Sequence, residues 1–108
     1  MADSFSKREK GEERKYEMDQ QLLFKAESRR NKLLGLWLAE IFGLTGDDAN
    51  NYAKEVVIAD MDEQGIEDVM RKVMKDIGEK NAPVTEDQVR AKIQELESVA
   101  IDQVRNEA

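Results

Sequence analysis

Beyond its first 21 residues, the densest group of basic side chains in this 108-residue chain is Arg29, Arg30 and Lys32. Three cations within four residues could bind an anion, such as a phosphate group or the carboxylate of a partner. A nucleotide would be one such ligand. The same spacing is also typical of a solvated helix face, and the sequence leaves both interpretations open.

Two pairs of adjacent carboxylates, Asp47–Asp48 and Glu86–Asp87, have the residue type that general acid–base catalysis uses. Each pair falls in the first turn of a predicted helix, where negative charge is favourable on electrostatic grounds alone. We therefore interpret both pairs as charges that stabilise helix starts rather than as catalytic groups.

The chain contains no histidine and no cysteine. It therefore lacks the usual general base, the commonest transition-metal ligands and thiol chemistry. The stretch GLTGDD lacks the Gly-Lys-Thr ending of a phosphate-binding loop, and Ser28 and Ser98 have no histidine to activate them. We predict a protein that is not an enzyme, with no catalytic residue, no metal site and no cofactor.

The net charge of −7 argues against nucleic acids and anionic membrane surfaces as partners. Nucleic acids and anionic membrane surfaces attract basic proteins, so neither is expected as a partner. No apolar stretch approaches the roughly 18 residues of a transmembrane helix, and the N-terminus has no apolar signal core. We expect a cytoplasmic protein that does not insert into the membrane.

Apolar residues after Gln21 recur at three- and four-residue steps, which is typical of amphipathic helices. Short connections favour antiparallel neighbours in a bundle. The predicted fold class is all-α, with a four-helix body at residues 19–108. The predicted helices lie at about 19–42, 46–62, 66–77 and 86–106.

Particular residues mark the predicted helix ends. Gly43 and Gly78 are placed to end the first and third helices. Thr45 can cap the second helix, and Thr85 with Gln88 has the pattern of a capping box at the start of the fourth.

Three residues on the predicted helices are unusual. Gly35 destabilises a helix interior, so it either permits a close helix crossing or is a tolerated surface glycine. Arg30 lies on the apolar stripe of the first helix, and Asp60 has a similar place on the second. We hypothesise that the two form an ion pair, because an unpaired buried charge is costly.

The N-terminal segment, residues 1–18, differs from the body. Residues 1–21 contain eleven charges, and after Met1 the only sizeable apolar side chains before Gln21 are Phe5, Tyr16 and Met18. Such a segment cannot bury enough surface to offset the entropy of ordering. We predict an arm that is mobile alone and helix-prone when docked. A solvated tail without a role is the alternative.

The stretch RRNKLLGLWLAEIFGLTG, followed by YAKEVVIADM, resembles the zeta subunit family, the ATPase inhibitor of alphaproteobacterial F-type ATP synthases. The resemblance covers nearly the whole chain. In the arm it rests on Phe5, Arg8-Glu9 and Lys15-Tyr16. It implies a compact four-helix body with a mobile inhibitory arm that enters a catalytic interface of the synthase and becomes helical there, blocking ATP hydrolysis.

The partner implied by this resemblance is the catalytic sector of the F-type ATP synthase, with the protein peripheral on the membrane-bound enzyme. The residues expected to bind this partner belong to the arm: Phe5, Arg8, Glu9, Arg14, Lys15 and Tyr16. The chain departs from the family pattern at Glu12, where an apolar residue is expected. We expect weaker inhibition as a result.

The competing function is a small helical adaptor, or a bundle that binds an anion or nucleotide near Arg29 and Arg30. In that case the arm would be a dispensable tail. Activity of the isolated body separates the two functions.

Overall fold

Four helices make up the body in the computed structural model, which describes residues 20–60 and 66–107. They are α1 (Gln20–Ile41), α2 (Gly46–Ala59), α3 (Glu67–Lys80) and α4 (Glu86–Glu107). These ranges contain no strand, so the predicted all-α class is confirmed. The predicted arm lies outside the described residues, as does the predicted end of the second helix at residue 62.

The core lies where the apolar faces of all four helices meet. α1 packs extensively against both α2 and α4, whereas α3 makes smaller contacts with α2 and α4. Within residues 20–60 and 66–107, no helix is long and apolar enough to cross a membrane. The large apolar side chains that are almost completely buried are Leu34, Leu38, Val56, Val69, Val73, Val89 and Val104.

The closest approach of α1 and α2 is at Gly35. A Cβ atom at this position would lie 2.6 Å from the Cα of Ala53 and 3.2 Å from a methyl carbon of Val56. The 2.6 Å separation from a backbone atom is shorter than real Cβ contacts, so any other residue would force the two backbones apart. Gly35 therefore permits a close helix crossing and is not a tolerated surface glycine.

Helices α1 and α3 both end with a residue in the left-handed conformation. Gly43 (φ 82°) follows α1, and the N–H of Leu44 donates to the carbonyl of Ala39 at 2.8 Å. This is the Schellman arrangement of a helix C-terminus. α3 was predicted to end at Gly78, but it continues to Lys80, and Asn81 (φ 54°) ends it with the same hydrogen-bond pattern.

The starts of α2 and α4 differ in how they are capped. The predicted capping box of α4 is confirmed, because the Thr85 N–H donates to Gln88 Oε1 at 2.9 Å and the Gln88 N–H donates to Thr85 Oγ1 at 3.1 Å. Thr45 occupies the N-cap position of α2 in an extended conformation, but its side chain makes no capping hydrogen bond. The start of α2 is stabilised instead by Asp47 and Asp48 in its first turn.

The close crossing predicts opposite effects for two glycine-to-alanine substitutions. Gly35→Ala should lower the free energy of unfolding by about 1–3 kcal/mol, because α1 and α2 must move apart and the core around them opens. Gly78→Ala is the matched control, since a Cβ at Gly78 meets no atom within 4 Å. It should raise the free energy of unfolding by about 0.5–1 kcal/mol through helix propensity. Urea denaturation measures both values, and equal effects would contradict the crossing.

Candidate functional site

The residues expected to bind the partner, Phe5, Arg8, Glu9, Arg14, Lys15 and Tyr16, lie in the arm and outside the described residues. Their roles remain a prediction. The structure does describe the helix that follows the arm in the sequence, α1, which begins at Gln20. It also describes the three cations predicted to bind an anion.

Arg29 is paired within the body. Its guanidinium donates to Gln103 Oε1 at 2.8 Å and lies 2.8 Å from Glu107 Oε2. The hydrogen bond to Glu107 raises the pKa of Arg29, and the same bond lowers the pKa of Glu107. Arg29 thereby joins the first half of α1 to the end of α4.

Arg30 is buried and belongs to a polar cluster with Asn31 and Asp60. Its Nε donates to Asn31 Oδ1 at 3.1 Å, and Asn31 Nδ2 donates to Asp60 Oδ2 at 2.9 Å. The same carboxylate oxygen lies 3.6 Å from Arg30 Nη2, so the hypothesised pair is confirmed. Asp60 Oδ1 is buried and receives no hydrogen bond from any residue the structure describes.

Asn31 was not expected to take part in this cluster. It is 1% exposed, and it bridges the charges of Arg30 and Asp60. The sequence could have indicated this role. Asn31 lies three residues before Leu34 and four before Gly35, and at helical spacing this places it on the buried side of α1. A polar side chain on a buried stripe must find hydrogen-bond partners.

Lys32 is exposed and lies beside α2. It lines an open groove of about 550 Å³ beside α2, together with Asp47, Asn50, Asn51, Lys54 and the apolar Ala53, Val57 and Ile58. Arg29 instead contacts α4, and Arg30 contacts the end of α2. The structure therefore does not bring Arg29, Arg30 and Lys32 together at one site.

Tyr52 is the centre of a second polar cluster, which joins α2 to α3. Its hydroxyl donates to Asp76 Oδ2 at 2.8 Å, and Lys72 Nζ lies 2.9 Å from the same oxygen and 2.8 Å from Glu55 Oε1. Burial, and then the hydrogen bond to Asp76, raise the pKa of the Tyr52 phenol far above its usual value. Partial burial acts to lower the pKa of Lys72, but its two carboxylate partners raise it overall.

Neither polar cluster has the composition of a catalytic or metal site. Over residues 20–60 and 66–107, no three acidic side chains are grouped so that they could hold a metal ion. Each charged group in the two clusters is paired with an opposite charge, and each cluster has polar contacts that join two helices. The clusters therefore fix the helices relative to one another. The body is thus a rigid support for the arm, which precedes α1 in the sequence.

Comparison with known proteins places both arm and body in one family. The family model described as ATPase inhibitor subunit zeta matches residues 1–103. A protein whose solution structure was determined by NMR is 55% identical to this chain, with a TM-score of 0.70. That match covers 79% of this chain and 96% of the other. No match was found among curated proteins.

The buried pair of Arg30 and Asp60 predicts strong energetic coupling. In a double-mutant cycle with Arg30→Met and Asp60→Asn, the coupling free energy should be about 1–3 kcal/mol, because removing one partner leaves the other charge buried. Glu86→Gln with Arg90→Met is the control cycle, since that pair is exposed at 3.0 Å, and its coupling should be much smaller. Urea denaturation supplies the values, and equal coupling in the two cycles would contradict a structural role for the buried pair.

The raised pKa of Tyr52 predicts a loss of stability at high pH. Because the phenol ionises more readily in the unfolded chain, the stabilisation is fully present below the ordinary tyrosine pKa of about 10 and is lost as pH rises above it. The free energy of unfolding should fall more steeply between about pH 9 and 11 in the wild type than in Tyr52→Phe. Parallel curves for the two proteins would show that the phenol titrates normally.

Proposed function

The chain belongs to the ATPase inhibitor subunit zeta family, and we propose that it blocks ATP hydrolysis by a rotary F-type ATP synthase by inserting its N-terminal arm at a catalytic interface. The observation that carries this proposal is the extent of the family match, which runs from residue 1 through the arm and most of the body. The arm is thus part of the family pattern.

The composition of the arm supports insertion into a partner. Residues 1–18 offer little apolar surface of their own, so a stable helix there needs a core supplied by another protein. Phe5 and Tyr16 are eleven residues apart, which places them within about 20° of each other on a helix. We propose these two aromatic rings as the main anchors, because such residues dominate the energetics of interfaces.

The charged residues of the arm would then set register and orientation. Arg8, Arg14 and Lys15 can pair with carboxylates of the catalytic sector, and Glu9 can pair with one of its cations. Charged pairs at an interface contribute to specificity and to the rate of association more reliably than to affinity. This division of roles leaves affinity to Phe5 and Tyr16.

The body contributes rigidity to this mechanism. The pair of Arg29 and Glu107 lies nine residues after the start of α1 and fixes α1 to α4. The cluster of Arg30, Asn31 and Asp60 fixes the same turn of α1 to α2. An arm that extends from α1 would therefore be attached to a helix that is held in place by both α2 and α4. We propose that the protein acts at the cytoplasmic side as a peripheral subunit of the membrane-bound synthase.

The adaptor or anion-binding function has less support. Two of its three cations, Arg29 and Arg30, already have carboxylate partners within the body. Lys32 lies on a different surface, beside Lys54 in the groove along α2. A nucleotide at that groove would be compatible with the inhibitory function, so it does not provide an alternative to it.

Removal of residues 1–17 tests the proposal. The first buried side chain of α1 is Ala26, so the truncated body should stay folded, with little change in thermal stability. Inhibition of ATP hydrolysis by purified ATP synthase should nearly vanish. Full inhibition by the truncated body would contradict the arm mechanism and favour the adaptor.

Single substitutions in the arm refine the test. Phe5→Ala and Tyr16→Ala should each raise the concentration needed for half-maximal inhibition by about tenfold. Met18→Ala is the apolar control, because Met18 lies about 200° from Tyr16 on a helix. Glu12→Phe should strengthen inhibition by up to about 2–3 kcal/mol if the position becomes buried. Equal effects of the three alanine substitutions would exclude a defined binding face.

A further inference from the structure

The proposed function gives no role to the open groove beside α2. Lys32 of α1 and the outward face of α2 line this groove. One of its lining residues, Ile58, is 63% exposed, more than any other large apolar side chain in the part of the chain that the structure describes. Together with Ala53 and Val57 it makes one side of the groove apolar. Apolar surface with a polar rim marks sites of protein interaction.

The groove is acidic at one end and basic at the other. Asp47 lies in the first turn of α2, and Lys54 follows it by seven residues, so the two share a face about 10 Å apart along the helix. Lys32 belongs to the Lys54 end, because its neighbour Asn31 bonds to Asp60 at the end of α2. Within the described part of the chain, none of these three groove charges has an ion-pair partner.

A second copy of the chain presents the complementary pattern of charge. Two copies can pack their α2 helices antiparallel about a two-fold axis that passes between Asn50 and Asn51. Asp47 of each copy then lies opposite Lys54 of the other, and the side-chain amides at the axis can exchange hydrogen bonds. Because a two-fold interface uses the same surface twice, a single face supplies both ion pairs.

The same register covers the exposed apolar side chain. Ile58 lies four residues after Lys54 on the same face, so it extends past the start of α2 in the second copy, which is at Gly46. It reaches the turn at Gly43. A Cβ atom at Gly43 would meet no atom within 4 Å, so this turn leaves space for the Ile58 side chain.

We propose that the groove is a self-association surface, through which two copies of the chain pack α2 against α2 in this antiparallel register. An acidic helix of another protein is a poorer occupant, because Asp47 would repel it. One face of a 14-residue helix buries less than the roughly 800 Å² per partner of a stable interface, and the net charge of −7 opposes association. The dimer is therefore weak, with a dissociation constant of about 0.1–1 mM.

A charge exchange between two variants tests the proposal. Lys54→Asp leaves Asp47 opposite an aspartate, and Asp47→Lys leaves Lys54 opposite a lysine. Each variant alone should therefore dimerise at least about tenfold more weakly than the wild type. An equimolar mixture restores both ion pairs in a heterodimer, so it should associate as strongly as the wild type. Sedimentation equilibrium of the full chain at concentrations up to about 1 mM measures these constants.

Two control variants separate the groove from net charge. Lys75→Asp on α3 and Asp87→Lys in the first turn of α4 make the same changes of charge at exposed positions outside the groove. Both should dimerise like the wild type. Thermal midpoints show whether each variant is folded. Ile58→Ser leaves every charge and the start of α2 intact, and it should weaken the dimer by about fivefold through lost apolar contact.

Three results would overturn the proposal. They are a wild-type chain that remains monomeric at about 1 mM, a mixture that associates no more strongly than its two components, and control variants that behave like the groove variants. If the wild type is monomeric while Lys54→Asp and Ile58→Ser weaken inhibition of ATP hydrolysis, the groove binds a surface of the ATP synthase instead of a second copy.

Discussion

The contact between Gly35 on α1 and Ala53 on α2 determines the arrangement of the rest of the body. Because Gly35 has no side chain, the two backbones approach to a distance that a Cβ atom would forbid. This contact fixes where α2 lies along α1. It brings Asp60, at the end of α2, to Asn31 and Arg30, and it leaves Tyr52 of α2 directed towards Asp76 of α3. A bulkier residue at position 35 would disturb both polar clusters as well as the core.

The polar clusters complement a small core. Valine, leucine and alanine make up most of the buried side chains, so shape alone specifies the positions of the helices weakly. The buried pair of Arg30 and Asp60 disfavours other rotations of α1 against α2, since separating the two would leave a charge buried without a partner. Between α2 and α3 the hydrogen bond from Tyr52 to Asp76 has the corresponding role. One cluster joins α1 to α2 and the other joins α2 to α3. A connecting loop alone would allow the angle between two such helices to vary. Rigidity of the body thus comes from both packing and pairing.

Much of the fold was predictable because it depends on local sequence. Helical periodicity gave the four helices, and the pattern Thr85 to Gln88 gave the start of α4. The pairing of Arg30 with Asp60 was predictable too, because two charges on apolar stripes need each other. The end of α3 was not, since Gly78 tolerates a helix interior and Asn81 competes with it for the left-handed position. The link from Tyr52 to Asp76 and the separation of Lys32 from Arg29 and Arg30 depend on how helices rotate about their axes, which a single sequence does not encode locally.

In the proposed function, a body whose fold is specified by its own contacts carries an arm whose fold would be specified by its partner. The most direct measurement is a cryo-electron microscopy structure of purified ATP synthase inhibited by this chain. The account predicts helical density for residues 1–18 in a catalytic interface between the large subunits, running into α1 without a break and with Phe5 and Tyr16 against the partner. Density for the body bound elsewhere on the synthase, with the catalytic interfaces unoccupied by the arm, would contradict it.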